Sequence, residues 1–260
     1  MTPMAASGAL PSALASNSPP KMDSAPQYRP LYSQVYEALI KRIANGEWKA
    51  GQSLPSEQAL AAQLGVSQGT VRKALDALAL DKVIDRRQGK GTFVAELTQE
   101  RSLFRFFRLT RADEQRAVPT SGDESIRRRK IRSPEARALA LPETAEVFEI
   151  VRTRFVDEQP IAVERIVLPE SVFPRLDAHS PLPNALYALY QREYGINIVS
   201  THEKLRADLA RRDDERRLGV PLGTPLLQVE RVAYSVDGKR VEWRLSRCDT
   251  SHLVYDITLT

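Results

Sequence analysis

The sequence predicts an α+β protein built from two modules, and three observations carry that prediction. Residues 31–80 place apolar side chains at helical spacing, interrupted by an Asn-Gly pair and a Leu-Pro pair. Two short β-prone runs then flank the turn Gln88-Gly89-Lys90-Gly91. Residues 133–243 hold a weak internal duplication, each copy reading as helix, strand, turn, strand. A chain of 260 residues suits two domains of ordinary size.

Taken in order, residues 1–27 are rich in Ala, Ser and Pro and lack an aromatic residue, so a disordered tail is expected, with Met22 as an alternative start. Tyr32, Val35, Tyr36, Leu39, Ile40 and Ile43 recur at three and four and predict a first helix ending at Asn45-Gly46. Ser56 caps a second helix carrying Ala59, Leu60 and Leu64 and closed by Gly65. Ser67 caps a third, with Val71, Ala74, Leu75 and Leu78 inward and Gln68, Gly69, Thr70, Arg72 and Lys73 outward. Val83 to Arg87 and Thr92 to Ala95 complete a hairpin. Three helices and a hairpin over residues 28–96 make a winged helix-turn-helix. Its ten Lys/Arg and seven Asp/Glu matter less than where they fall. Arg72, Lys73, Arg86, Arg87 and Lys90 gather at the third helix start and the hairpin, the footprint of phosphate contact.

Residues 97–117 read as linker and first strand of the next module, because a free linker would not carry Phe104, Phe106 and Phe107. Residues 110–123 read as a loop. The second module, residues 118–258, contains the duplicated units from Ser133 to Glu164 and from Arg212 to Trp243, separated by a helix over Ala185 to Tyr194 that Gly195 stops. Hairpins related by pseudo-symmetry in a mainly antiparallel sheet follow.

The run LPSEQALAAQLGVSQGTVRKALDAL with DRRQGKGTFVAE closely resembles the N-terminal domain of the GntR family of bacterial transcriptional regulators. The paired hairpins, LYALYQREYGI, LGVPLGTPLLQVERVAY and VEWRLSR resemble the UTRA effector-binding domain of the HutC subfamily, a chorismate-lyase-like fold. The resemblance implies double-stranded operator DNA as partner, contacted by Gln58, Gln68, Gly69, Thr70, Arg72, Gln88, Gly89 and Lys90. Many family members carry Arg where this chain has Gln58 and Gln68, and arginine favours guanine as glutamine favours adenine, so an altered base preference or a weaker phosphate contact is expected. It implies also a small anionic effector held by Arg152 and Arg154, which share one strand face, with Glu164 and Glu242 at matching points of the duplication. The alternatives are a solvated strand face for the arginines and structural ion pairs with Arg165 or Arg244 for the acids. Cys248-Asp249 replaces the aromatic-Arg pair of many relatives and weighs against a sugar-type ligand.

The expected protein is a cytoplasmic homodimer repressing transcription until its effector releases it. The rival readings are an enzyme acting on a small carboxylate through the chorismate-lyase-like fold, and a DNA-binding protein without an effector. No nucleophile, base and orienting group form an ordered motif, one cysteine and three scattered histidines give no metal spacing, and no cofactor is expected. The net charge of +5 hints at a polyanionic partner. No apolar run reaches the ~18 residues of a membrane helix, and no signal peptide is apparent. Arg127-Arg128-Arg129-Lys130 reads as a solvated edge strand, and Cys248 as a packed residue.

Overall fold

A computed structural model describes residues 29–111 and 118–257; the expected N-terminal tail lies outside the described residues. Helix α1 (Leu31–Ala44) buries Val35, Leu39, Ile40 and Ile43, while Tyr32 at its start stays 40% exposed. In α2 (Glu57–Leu64) the Ser56 hydroxyl accepts from the Ala59 amide at 3.2 Å, and Gly65 ends the helix at a φ of 65° that favours glycine. In α3 (Gln68–Leu80) Ser67 caps the Thr70 amide, and Val71, Ala74, Leu75 and Leu78 are buried. Strands β1 (Ile84–Arg87) and β2 (Gly91–Val94) form the hairpin. Its turn is possible because Gly89 and Gly91 take positive φ. Trp48, Leu54 and Leu60 close the core beneath it.

The connection corrects the expectation that the phenylalanines of residues 97–117 belong to a first strand. Thr98 caps a helix, α4 (Gln99–Phe106), whose buried face is Ser102 and Phe106, four residues apart. Four is a helical spacing, so the phenylalanines serve a helix first; the strand β3 (Leu109–Arg111) starts only afterwards and pairs with β10 (Leu253–Tyr255) away from the main sheet. The loop expected over 110–123 is likewise shorter: Thr110 and Arg111 belong to β3, and β4 (Thr120–Lys130) has begun by Thr120. Residues 112–117 lie outside the described residues.

The second module is a six-stranded antiparallel sheet in the order β4, β5 (Glu146–Val156), β6 (Gln159–Pro169), β9 (Arg240–Cys248), β8 (Pro225–Ser235) and β7 (Ile198–Leu209). Sequence order therefore runs inward from both edges, and the two copies meet at β6 and β9, where Arg165 faces Leu245 across the pseudo-axis. Each copy also owns the strand before its helix, so the repeat is strand, helix, strand, strand. The short helices α5 (Ser133–Leu139) and α7 (Arg212–Leu218) cross over: α5 packs on β9 and α7 on β6. Helix α6 (Leu186–Tyr194) and α4 cover the opposite face around Phe148, Ile150, Ile166 and Tyr190.

Register corrects one equivalence. Glu164 lies opposite Arg152, and in the second copy it is Arg244 that lies opposite Arg231; Glu242 faces Ala233. The second turn, residues 236–239, is longer than the first, residues 157–158, which shifts the sequence match between Glu164 and Glu242. Strand β4 is at an edge, as expected, but its arginines are not simply solvated. Arg127 and Arg129, with Arg165 of β6, donate to the buried Glu149 carboxylate, and Arg129 also forks onto Glu135 at 2.7 and 2.8 Å. Burial opposes ionisation of Glu149, yet these arginines hold its carboxyl down at about 2.

Candidate nucleic-acid interface and ligand chamber

On the first module, Gln68, Gly69 and Thr70 occupy the first turn of α3, with Arg72 just beyond and Gln88, Gly89 and Lys90 at the tip of the wing. Gln58, Gln68, Arg72, Gln88 and Lys90 are exposed. The Thr70 hydroxyl lies 2.9 Å from that of Ser67, so Thr70 belongs to the helix start and presents its oxygen there. Sequence reasoning missed the acid in this surface. Glu57 accepts from Arg72 at 3.0 Å and from Gln68 at 3.4 Å, and Arg86 of β1 stands 3.6 Å from its other oxygen. Arg86 also pairs with Asp76 at 2.9 Å, and Arg87 lies over the Phe93 ring. Helix, wing and α2 thus share one charged network.

On the second module, four neighbouring strands put charge inside the sheet face. Arg152 and Arg154 come from β5, Glu164 from β6, Glu242 and Arg244 from β9 and Arg231 from β8, and all six are buried. Four guanidinium groups below water need carboxylates or a ligand. Glu164 joins two of them, accepting from Arg152 Nε at 2.7 Å and from Arg244 at 3.0 Å. Burial would raise the Glu164 carboxyl, but Arg244, Arg152 and Arg154 hold it well below the usual carboxylate range. Glu242 is saturated: Arg244 forks onto both its oxygens at 3.0 and 2.9 Å, and the hydroxyls of Tyr187 and Tyr190 donate at 2.9 and 2.8 Å. Burial, then Glu242, pushes both tyrosines well above their ordinary values, which keeps them donors. Arg231 is held by Glu203 at 2.5 Å and by the carbonyl of Phe106 at 2.6 Å.

Arg154 differs. It donates to the Ser121 hydroxyl at 2.6 Å and the Asn184 carbonyl at 3.0 Å, and among the described residues it reaches no carboxylate and its buried Nε has no hydrogen-bond partner. Burial and the neighbouring Arg152 pull its guanidinium below the ordinary arginine range, the mark of an uncompensated charge. It lines a cavity of about 60 Å³ together with Arg152, Arg231, Arg244, Arg108 and Glu164. Helix α4, through Phe106, roofs this space, and Cys248 and Ser246 form part of its floor. The Cys248 thiol is pushed up to about 12 by burial and by Glu164, so it packs rather than reacts.

The structure therefore gathers Arg152, Arg154 and Glu164 at one cavity and sets Glu242 behind its wall. The ion pairing expected as the alternative for the acids is present, since Arg244 meets both Glu164 and Glu242, while sequence reasoning missed Arg231, Asn184, Ser121 and the tyrosines. The motif VERVAY already held Arg231 one repeat after Arg152, a signal that the duplication offered. Asn184 and Ser121 come from segments with no local pattern.

The two sites are physically joined. The Gln191 side chain of α6 donates to the Ala95 carbonyl at 2.9 Å and accepts from the Leu97 amide at 2.7 Å, gripping the chain where it leaves the wing. Arg101 reaches Asp85 of the hairpin at 2.9 Å, and Arg105 donates to the Val199 carbonyl at 2.6 Å. The same α6 carries the tyrosines on Glu242, and the same α4 supplies the carbonyl on Arg231.

Comparison with known proteins follows the same division. Residues 31–94 match the model of the bacterial regulatory proteins of the gntR family, and residues 97–253 match that of the UTRA domain. The chain is 30% identical over 211 residues to the "Probable fructoselysine utilization operon transcriptional repressor" of Escherichia coli (strain K12), covering 81% of this chain and 87% of that protein. It is 30% identical over 215 residues to the HTH-type transcriptional repressor NagR of Bacillus subtilis (strain 168), covering 82% and 88%. A ligand-binding domain from Bordetella bronchiseptica superposes on 60% of this chain and 98% of its own, with a TM-score of 0.56 and 31% identity.

Proposed function

The chain belongs to the gntR family of bacterial regulatory proteins, with a UTRA domain behind its DNA-binding module, and on that premise we propose that it represses transcription at an operator and leaves it when a small anion fills the arginine chamber. Two such chains, as a homodimer in the cytoplasm, present two recognition helices to a near-palindromic operator. On each, Gln68, Gly69, Thr70 and Arg72 enter the major groove with Gln58 beside them, and Gln88, Gly89 and Lys90 follow the backbone.

The observation that carries the effector reading is Arg154, a buried cation that meets no carboxylate among the described residues. The chamber wall holds five guanidinium groups, counting Arg108, against Glu164 in the wall and Glu203 and Glu242 behind it. A carboxylate or phosphate on Arg154 and Arg152 would neutralise the excess through charge-assisted bonds at low dielectric. Glu164 and Glu242 then act by holding Arg152 and Arg244 in place, with Glu164 near enough to accept from a ligand hydroxyl.

A space of about 60 Å³ holds a few waters and no metabolite. Binding therefore displaces the roof, and the roof is α4, whose N-terminal end continues into the segment that Gln191 grips. An effector with higher affinity for the opened chamber shifts the orientation of the DNA-reading modules, and the same coupling makes DNA oppose the effector. Thermal unfolding of the full chain against carboxylate and phosphorylated metabolites tests the chamber. One class should raise the midpoint with increasing concentration. No shift with any anion contradicts the effector reading.

A further inference from the structure

A carboxylate has no evident place on a surface that meets phosphates, because it repels them and shortens the reach of neighbouring cations. Glu57 stands there nonetheless, with its side chain 21% exposed at the start of α2. One oxygen accepts from Arg72 Nε at 3.0 Å and from Gln68 at 3.4 Å, and a terminal nitrogen of Arg72 lies 3.0 Å from it as an ion pair. Its second oxygen faces Arg86 at 3.6 Å. A guanidinium has two usable edges. Glu57 occupies the edge that includes Nε, which leaves the two terminal nitrogens of Arg72 to face outward as a fork. That fork is the geometry that reads guanine bidentately, and Gln68 held beside it presents an amide suited to adenine.

We propose that Glu57 is a positioning residue for sequence reading: it gives up some attraction to DNA in general so that Arg72 and Gln68 meet base edges in one orientation. The proposal rests on the assignment of this surface to DNA. Arg72 has 59% of its side chain exposed, so without Glu57 the guanidinium would sample many rotamers and spend them on phosphates.

The test uses the full chain. A duplex is selected from a random pool with the native protein, and its affinity and that of a scrambled duplex are measured for the native chain, E57A, R72K and E57A/R72K over a salt series. E57A should bind the scrambled duplex as tightly as the native chain or more tightly, while the ratio of selected to scrambled affinity falls about tenfold. The double variant should lose no more discrimination than R72K, since Glu57 acts through Arg72. Binding of the scrambled duplex also reports that E57A is folded. Discrimination kept within about twofold, or losses that multiply in the double variant, overturns the positioning role. A native chain that enriches no duplex overturns the DNA assignment and this proposal together.

Discussion

The DNA-reading surface and the ligand chamber are both built from arginines, but they keep them in opposite solvents. Arg72 and Arg86 lie at the surface with side chains 59% and 38% exposed, where an acid steers them and water screens them. Arg152, Arg154, Arg231 and Arg244 lie inside a sheet face, where each charge must be matched or kept waiting for a ligand. The difference teaches where function trades against stability. On the surface a charge can be changed at the expense of binding alone. In the chamber the same change alters folding, and its sign depends on whether the charge was paired.

The largest expected effect follows from removing a partner. Glu242→Ala would leave Arg244 with Glu164 alone and unpair two buried tyrosine hydroxyls, and should cost roughly 3–5 kcal/mol in denaturant unfolding. A loss under 1 kcal/mol would show that the network is not held closed as described.

Acid sensitivity should come next. The Glu149 carboxyl sits at about 2 in the folded chain against an ordinary 4.5, lowered by Arg129, Arg127 and Arg165 against the effect of burial. A depressed acid contributes fully above its unfolded value, and that contribution is lost as pH falls from about 4.5 toward 2. Glu149→Gln should therefore flatten the unfolding profile in that window while lowering stability at neutral pH. An unchanged slope would remove Glu149 from the arginine network.

Arg154→Met sharpens the comparison by reversing the sign. It deletes a buried charge that lacks a carboxylate, so stability should hold or rise by roughly 1 kcal/mol while the anion-induced rise in midpoint disappears. A destabilised variant that still responds to the same anion would show that Arg154 is structural. The smallest effect on folding belongs to Arg72→Ala, which should shift unfolding by less than about 0.5 kcal/mol and weaken operator binding about tenfold or more. An unchanged affinity across salt would take Arg72 out of the interface.

The two regions also differ in how far the amino-acid sequence discloses them. The first module is written in local signals: Ser56 and Ser67 cap their helices, Gly65 and Gly89 end a helix and turn the wing, and apolar spacing marks the buried faces. Its interface residues are neighbours in sequence and could be read directly. The second module discloses its hairpins, and Arg152 and Arg154 announce a shared face. Its pairings do not show, because Arg244 meets Glu164 across 80 residues and Tyr187 meets Glu242 across 55. The match of Glu164 with Glu242 failed on a turn whose length differs between the copies. The phenylalanines of 103–109 suggested a strand because three aromatics in a short run fit either period, and the cap at Thr98 decided for a helix. Gln191 carries no sequence signal, since its partners at the wing exit are main-chain atoms of Ala95 and Leu97.

The central claim is that an anion in the arginine chamber controls the grip on DNA. Its most direct test is fluorescence anisotropy of the selected duplex, titrated with carboxylate and phosphorylated metabolites against the native chain and Arg154→Met at one salt concentration. The account predicts that at least one metabolite releases the native chain and that none releases Arg154→Met, which binds the duplex as tightly. Equal release of both proteins, or release of neither by any metabolite, would contradict it.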